Sequence, residues 1–427
     1  MNRIPNKIVI IGGGSAGWMS ALYLLKMLPE TDVTLIESTK IGILGAGEGS
    51  TPNFVQFIKD LEINEEEFIN ETKSTRKFGI DFEGWRGDGN KYLHYFNPKN
   101  IHNSYDKQIV HFNWEKINNY SFHFDANLVA KYFKKKSIER GINWIDDEAK
   151  TFDKNDNGDI VKINLVSGES VSCDFIFDCS GFHRVVLGKE FDVKWIPQDK
   201  YLKVNTALPY TLPRTDASLD TVTRAVAMKY GWMWMIPLQN RWGCGYIFDK
   251  NLITKEEAKS EVEEFIGEEI NNTRTIDFSP GWYEKVWVKN CLSIGLSGGF
   301  LEPLEATSIA TLIWQLTQFK KFMIKLQTNG IVNVDEYNSM SEEFNEQNMH
   351  FIYYHYICDR DDTEFWNHYT SRKDIPEKLN EILDENLNVK IKNSKDLLKI
   401  YKYNQIYAPV SWYVINHGTR KNSNKLL

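Results

Sequence analysis

The chain has 427 residues, with 51 Lys and Arg against 58 Asp and Glu, so its net charge is −7. This mild acidity argues against nucleic-acid binding, which requires clustered positive charge. Five cysteines without a CxxC pair argue against a disulfide framework or a zinc site, and no apolar run reaches the roughly 20 residues of a membrane span.

The opening of the chain has the pattern of a strand, a helix and a second strand. Residues 7–11 are a β-branched run typical of a buried parallel strand, residues 18–27 have a helical composition, and residues 33–36 form a second apolar run that ends at Glu37. This order predicts a doubly wound nucleotide-binding sheet. No signal-peptide pattern precedes it, so we expect a cytoplasmic protein without a membrane partner.

Later segments alternate between helical and strand patterns, without an internal repeat. Charged residues 63–77 and basic residues 127–140 predict helices, whereas residues 85–112 are irregular. Alternation or apolar runs predict strands over 161–165, 175–178 and 221–248.

The last part of the chain is predicted to be mainly helical. A long helix should begin near Glu305, because apolar residues keep helical spacing up to Leu326. Asn329 and Gly330 then form a typical C-terminal cap.

Three glycines between the first strand and the first helix have the spacing of a dinucleotide-binding loop. Gly12 permits the tight turn, Gly14 lets the backbone approach a pyrophosphate, and Gly17 lets helix and strand pack closely. Free N–H groups at the start of the helix favour an anion. Glu37 stands where an acid binds a ribose hydroxyl. The pattern predicts a dinucleotide site but does not separate FAD from NAD.

Several further segments carry a more specific pattern. Residues 12–19 read GGGSAGWM, and residues 231–237 read GWMWMIP, which places Trp232, Trp234, Ile236 and Pro237 in a WxWxIP spacing. Other segments follow in order as GAGEGSTP (45–52), FHFDA (122–126), DCSGF (178–182), NCLSIG (290–295) and FLEPLEATSI (300–309). Together they resemble flavin-dependent halogenases of the tryptophan-halogenase family over nearly the whole chain.

The resemblance implies an α/β fold with an FAD-binding, doubly wound, Rossmann-like sheet of the flavin-monooxygenase type and an interleaved β-sheet substrate module. We expect both within residues 1–330, with inserted parts at about 51–110 and 200–280, followed by a mainly helical C-terminal cap over 331–427. The implied cofactor-binding residues are Gly12, Gly14, Ser15, Ala16, Gly17, Glu37, Gly47, Glu48, Ser50, Asp178 and Gly295. No metal ligand is implied.

The resemblance also implies the chemistry. Reduced FAD and O2 give a flavin hydroperoxide that oxidises halide to hypohalous acid, which a tunnel delivers to a lysine. Lys77, followed by Phe-Gly-Ile, matches that lysine; it would act either through a hydrogen bond or as a haloamine. Glu305 matches the acid partner. Two nearby residues have the same types as this lysine and this acid. They are Lys73, expected one helical turn before Lys77, and Glu302.

Further roles follow from the same resemblance. The backbone N–H groups of Thr307 and Ser308 match a halide site for chloride, bromide or iodide, since free N–H groups at a helix start suit an anion. His94 and Phe96 match substrate-sandwiching aromatic residues, which suit a flat indole or phenol. The block from Trp232 to Pro237 is the family signature, thought to suppress oxygen transfer to the substrate. Each also has a simpler interpretation as a packing or surface residue.

Two departures from the family concern substrate and partners. The chain is shorter than halogenases of free tryptophan, so we expect a more open pocket and larger substrates. There is no second dinucleotide loop, which predicts a separate NAD(P)H-dependent flavin reductase as partner. Monomer and homo-oligomer both remain open.

Other functions fit parts of the pattern. A flavin monooxygenase would share the glycine loop, Glu37 and Asp178, but Lys77 and Trp232 argue against it. A catalytically inactive flavin-binding protein and an NAD dehydrogenase are the remaining alternatives.

Overall fold

The computed structural model describes residues 3–42, 48–96, 119–271, 274–386 and 406–420. Its strands are β1 (Lys7–Ile11), β2 (Asp32–Glu37), β3 (Glu48–Gly49), β4 (Thr75–Glu83), β5 (Lys91–Tyr95), β6 (Ser121–Phe124), β7 (Asn143–Asp146), β8 (Ala149–Lys154), β9 (Ile160–Leu165), β10 (Ser170–Ser172), β11 (Phe175–Asp178), β12 (Trp195–Pro197), β13 (Thr206–Pro213), β14 (Asp220–Met228), β15 (Gly231–Pro237), β16 (Arg241–Phe248), β17 (Ile276–Asp277), β18 (Gly281–Tyr283), β19 (Trp287–Val288), β20 (Cys291–Ser293) and β21 (Gly299–Phe300). Its helices are α1 (Ser15–Met27), α2 (Pro52–Asp60), α3 (Glu65–Thr72), α4 (Ala126–Glu139), α5 (Lys255–Ile266), α6 (Thr307–Asn329), α7 (Val334–Tyr356), α8 (Glu364–Thr370), α9 (Glu377–Asn386) and α10 (Pro409–Thr419).

The first sheet is the predicted nucleotide-binding sheet. Its six strands have the order β19-β20-β11-β1-β2-β7, and β1 pairs in parallel with both β2 and β11. Alternate residues of β1 enter two different cores: Ile8 and Ile10 pack with the helices, and Val9 and Ile11 pack with β9 and its neighbours. Full burial of such a side chain contributes about 1.5–3 kcal/mol, so a strand apolar on both faces is stable only at the centre of a covered sheet.

The second sheet has nine strands and draws them from two separate parts of the chain. The order is β17-β13-β16-β15-β14-β4-β6-β3, with β5 paired to β4. One part contributes β3 to β6 and the other contributes β13 to β17. Both faces of β15 are buried: Trp232, Trp234 and Ile236 pack towards a core shared with α7, and Met233 and Met235 pack towards α5.

Two long helices connect the sheets. The apolar stripe of α6 covers the first sheet, and this helix ends at Gly330, whose positive φ of 73° forms the predicted cap. The last turns of α7 pack on the second sheet. The prediction of an α/β fold with a helical C-terminal part is therefore confirmed. Within the described residues, no helix is long and apolar enough to cross a membrane.

Three element boundaries differ from the sequence prediction. The charged helix predicted over 63–77 ends at Thr72, because Lys73 has a left-handed backbone (φ 54°), and Lys77 lies on strand β4 rather than on that helix. The helix expected near Glu305 begins two residues later, at Thr307. Residues 91–95 of the segment expected to be irregular form β5, whereas 97–112 lie outside the described residues.

Candidate active site

One cavity of about 940 Å³ runs between the two sheets, from the glycine loop to Lys77 and Glu305. It brings together most of the residues singled out from the sequence. Those that line it are Gly12, Gly14, Ser15, Ala16, Glu37, Glu48, Lys77, Trp232, Trp234, Ile236, Gly295, Glu305 and Ser308. Others lie behind this lining or beside it: Gly17, Ser50, His94, Phe96, Asp178, Pro237 and Thr307. Gly47 lies outside the described residues.

The glycine loop has the close approaches that its spacing predicts. A Cβ atom on Gly12, whose φ is 113°, would lie 2.3 Å from the Cys179 carbonyl oxygen, and one on Gly17 would lie 1.8 Å from the Gly12 oxygen. A Cβ on Gly14 would meet no atom within 4 Å, because this residue faces the cavity. The loop leads into the N-terminus of α1, so its geometry suits a pyrophosphate.

Glu37 ends β2 at the rim of the same cavity. Its Oε1 accepts hydrogen bonds from Lys134 Nζ at 2.6 Å and Trp144 Nε1 at 3.0 Å, and its Oε2 accepts one from Trp18 Nε1 at 3.3 Å. These contacts fix the carboxylate in the place where a ribose hydroxyl would bind.

The other predicted cofactor residues differ in whether they face the cavity. Asp178 is fully buried; its carboxylate accepts from the Ser180 and Val186 backbone N–H groups and so shapes the turn that lines the cavity. The Ser50 hydroxyl bonds instead to Ser121 at 2.6 Å, away from the lining. Glu48 faces the cavity, and burial, with a smaller contribution from Asp125, raises its pKa to about 7. A glycine cradle, a fixed acid at its rim and a long cavity fit an FAD molecule.

The two signature tryptophans form a wall of this cavity. Trp232 and Trp234 lie on the same face of β15, with ring centroids 6.3 Å apart. Trp232 donates from Nε1 to Glu302 Oε1 at 3.0 Å, and the Trp234 indole lies against Gly245, where a Cβ would come within 2.1 Å of the ring. Both indoles are therefore held in place from behind the wall.

A bulge in β4 directs Lys77 into the cavity. β4 pairs with β14 through Lys77–Thr221 and Ile80–Thr223, so two residues of β4 stand opposite one residue of β14. This extra residue reverses the usual alternation, and Lys77 and Ile80 both line the cavity. Gly79 lies within the bulge, where a Cβ would come 2.4 Å from the His94 carbonyl oxygen. The glycine two residues after Lys77 is therefore required by the close approach of β5 to the bulge.

Lys77 is almost completely buried, with 1 % of its surface exposed. Burial lowers the pKa of its ammonium to about 8, and the charge of Glu305 opposes that shift. Its Nζ lies 5.3 Å from the centre of the Phe96 ring, and within the described part of the chain it forms no ion pair. Lys73, by contrast, is exposed and outside the lining.

Glu305 occupies a strained position just before α6. Its φ of 62° and the φ of 56° at Ala306 are left-handed, which costs a residue with a side chain about 1–2 kcal/mol. Its Oε1 accepts from His94 Nδ1 and His355 Nε2, each at 2.9 Å. Burial favours the protonated carboxyl, but the two histidines outweigh it and hold the pKa of Glu305 well below its usual range.

Thr307 and Ser308 are the first two residues of α6. Their backbone N–H groups have no partner within the helix, as at any helix start, and Ser308 lines the cavity beside Glu305. This position suits an anion. His94 is placed differently from a free aromatic wall, because its ring contacts Glu305 on one side and the Ser411 hydroxyl on the other, at 2.8 Å.

Two residues of the site, His355 and Glu302, make contacts that no sequence motif indicated. His355 lies on α7 and is fully buried. Glu302 Oε1 accepts from Trp232 and from Tyr356 OH, the latter at 2.8 Å, and burial raises its pKa to about 8. The run of aromatic and histidine residues over 349–356 is the one sequence signal that could have indicated a buried helix face here.

Solved structures with the same fold define the class of protein. Tryptophan 6-halogenase SttH from Streptomyces toxytricini superposes with a TM-score of 0.85 at 27% identity, covering 98% of this chain and 91% of that chain. Xcc4156, a flavin-dependent halogenase from Xanthomonas campestris, superposes with a TM-score of 0.80 at 28% identity, covering 97% and 94%. With the site described above, they place the chain among FAD-dependent halogenases, which are oxidoreductases.

Sequence comparison identifies the family within that class. The family model for tryptophan halogenase matches residues 7–118 and 113–425. Tryptophan 7-halogenase RebH from Lentzea aerocolonigenes is 31% identical over 414 residues, covering 84% of this chain and 78% of the relative. The chain belongs to the tryptophan halogenase family.

Proposed function

We propose that this enzyme halogenates an electron-rich aromatic compound, such as an indole or a phenol, by way of hypohalous acid directed by Lys77 with Glu305 assisting. Reduced FAD together with O2 supplies the oxidant that converts chloride, bromide or iodide to hypohalous acid. A separate NAD(P)H-dependent flavin reductase supplies the reduced FAD.

One observation carries the proposal. Lys77 and Glu305 line the same cavity as the glycine loop, although Lys77 lies on β4, Glu305 lies just before α6, and more than two hundred residues separate them. A buried lysine and a buried carboxylate are costly, and they are retained where a site uses them. The wall of Trp232 and Trp234 lies along the same cavity and supports a flat cofactor or substrate.

The residues that would hold the cofactor are those of the glycine loop and its surroundings. Gly12, Gly14 and the N-terminus of α1 would hold the pyrophosphate, and Glu37 the ribose. The halide would bind the backbone N–H groups of Thr307 and Ser308 beside Glu305. Phe96, which lies next to the Lys77 ammonium, would form one wall of the substrate site, and His94 would contribute from its place beside Glu305.

Lys77 and Glu305 would divide the proton transfers of the reaction. The ammonium of Lys77 would hydrogen-bond the oxygen of hypohalous acid and donate its proton as the halogen is transferred. The ionised Glu305 would take the proton that leaves the ring carbon. Because the pKa of Lys77 is about 8, the neutral amine is also accessible near neutral pH, so the haloamine route stays open.

The decisive experiment compares Lys77→Ala with Lys73→Ala. Each protein would be supplied with FAD, a flavin reductase, NADH, air and one halide at a time, with an indole or phenol as substrate. We expect halogenated product from the wild type and from Lys73→Ala, because Lys73 is exposed and outside the cavity. Lys77→Ala should lose about 100-fold or more in rate, as is usual for an acid–base group.

A chemical trap for hypohalous acid completes the experiment. If Lys77 acts after halide oxidation, Lys77→Ala will still release trappable hypohalous acid. Equal product from Lys77→Ala and the wild type would mean that free hypohalous acid performs the reaction, which would contradict the role of Lys77. Hydroxylated product from the wild type would show a monooxygenase instead.

A further inference from the structure

The carboxylate of Glu305 is held between two buried histidines. His94 comes from β5 and His355 from α7, and both contact the same atom, Oε1, at 2.9 Å. The exposed fractions are 4 % for Glu305, 7 % for His94 and 0 % for His355. Oε2 makes no hydrogen bond to any described residue, so it is the oxygen left for a reacting group in the cavity.

With Glu305 ionised, as its lowered pKa implies, the hydrogen bonds of His355 call for a proton on each ring nitrogen. Nδ1 lies 2.7 Å from the carbonyl oxygen of Phe351, which only accepts, and Nε2 faces the carboxylate of Glu305. A neutral imidazole has a single N–H and would leave one of these contacts between two acceptors. His94 differs, because its Nε2 faces the Ser411 hydroxyl, which can donate, and its Nδ1–H can then serve Glu305 with the ring neutral.

Three other titratable groups interact electrostatically with Glu305. They are Lys77 on β4, Tyr92 on β5 and Tyr407 ahead of α10. Of these, only Lys77 carries a positive charge at neutral pH. It forms no ion pair with a described residue, although Glu305 lines the same cavity. A carboxylate already neutralised by a neighbouring imidazolium explains why a buried lysine that lines the same cavity forms no ion pair with it.

We infer that His355 is a positioning residue that is doubly protonated in the resting enzyme, that it neutralises Glu305, and that it thereby keeps Lys77 free for hypohalous acid. This inference rests on the proposed function. In the halogenation the oxygen–halogen bond breaks as the carbon–halogen bond forms, and the leaving hydroxide takes a proton from Lys77 to become water. The ring proton then passes to Glu305 Oε2, the C–H electron pair returns to the ring, and the proton goes back to Lys77.

Nitrogen NMR of the protein labelled with ¹⁵N-histidine tests the protonation state without substrate. The signals of His355 are identified by their loss in His355→Gln, with His350→Gln, another buried histidine on α7, as control. At pH 7 we expect both nitrogens of His355 to be protonated. A bare, pyridine-like nitrogen assigned to His355 would overturn the inference.

Kinetics of the same variants tests the positioning role. Without the imidazolium, Glu305 becomes an uncompensated counter-ion for Lys77, so the basic limb of the pH–rate profile should move up by about one unit. His355→Gln keeps a donor for Oε1 and should lose about tenfold in kcat, and His355→Phe about 100-fold, with KM and trapped hypohalous acid unchanged. His350→Gln should keep the wild-type profile. If His355→Gln and His355→Phe also keep the wild-type pH–rate profile while the wild-type enzyme halogenates its substrate, this inference is wrong and the proposed function still holds. If the wild-type enzyme yields no halogenated product, the proposed function is wrong.

Discussion

The two ends of the cavity are built in different ways. The glycine loop lies within one βαβ unit, has regular strands and a helix around it, and places glycines wherever a side chain would collide. The end with Lys77 and Glu305 is assembled from β4, β5, α6 and α7, with a bulge, two left-handed residues and four buried ionisable groups. The cofactor end is therefore specified by local backbone geometry, and the chemical end by long-range packing around charges and strain.

The largest effect on stability is expected at Gly17, where the glycine loop has no space for a side chain. Gly17→Ala would place a methyl group 1.8 Å from the Gly12 carbonyl oxygen, and neither backbone can move without separating β1 from α1. We expect a loss of more than about 4 kcal/mol in the free energy of unfolding, the range of the most damaging single substitutions. Chemical denaturation followed by tryptophan fluorescence would measure it.

Gly14→Ala is the matched control in the same loop. Its φ is −76°, and the new methyl group would meet no protein atom, so the stability should stay within about 0.5 kcal/mol of wild type. The methyl group would instead point into the cavity, where we propose that the pyrophosphate binds, and we expect FAD affinity to fall in a flavin-fluorescence titration. Equal destabilisation by both substitutions would show that the loop does not discriminate between its glycines.

A smaller effect on stability is expected for Glu302, the buried acid that accepts a hydrogen bond from Trp232. Burial raises the pKa of Glu302 to about 8, partly offset by the hydrogen bonds from Tyr356 and Trp232. A carboxyl whose pKa is higher in the folded than in the unfolded state stabilises the fold at low pH, and this contribution is lost as pH rises from about 4.5 to about 8. Glu302→Gln cannot ionise, so at pH 8 it should be more stable than wild type by on the order of 2–4 kcal/mol.

Denaturation of both proteins between pH 5 and 8 would measure this difference. At pH 5 the two should be similar, because the protonated acid and the amide both accept from Trp232 and Tyr356. Glu377→Gln, an exposed residue of α9, should follow wild type at every pH. A difference between Glu302→Gln and wild type that does not change with pH would contradict burial of an ionisable group as its cause.

The contrast also explains what the sequence could and could not predict. Residues 7–37 were interpretable because strand, loop and helix are neighbours in the chain and each follows its own local pattern. The position of Lys77 on a strand was missed, since β4 depends on pairing with β14, more than 140 residues away, which overrides the helical character of the preceding charged segment. The resemblance pointed to Lys77 and Glu305, but their roles remain proposals. His355 had no motif, because its contact with Glu305 exists only after α7 packs against the second sheet.

The smallest effect on stability is expected for Ala306→Gly, which tests whether backbone strain distinguishes the Lys77–Glu305 end of the cavity from the glycine loop. Ala306 has a φ of 56°, which costs an alanine about 1–2 kcal/mol, whereas glycine adopts it freely but loses about 0.4–1 kcal/mol more entropy on folding. Ala306→Gly should therefore stabilise the enzyme by roughly 0.5–1 kcal/mol, the opposite sign to Gly17→Ala, and urea denaturation would detect it. If this strain holds Glu305 beside the two histidines, the more stable variant should halogenate about two- to fivefold more slowly, because a glycine lets the carboxylate leave its position. If Ala306→Gly destabilised the enzyme, the left-handed backbone at Ala306 would carry no strain. The Lys77–Glu305 end of the cavity would then not differ from the glycine loop in backbone strain.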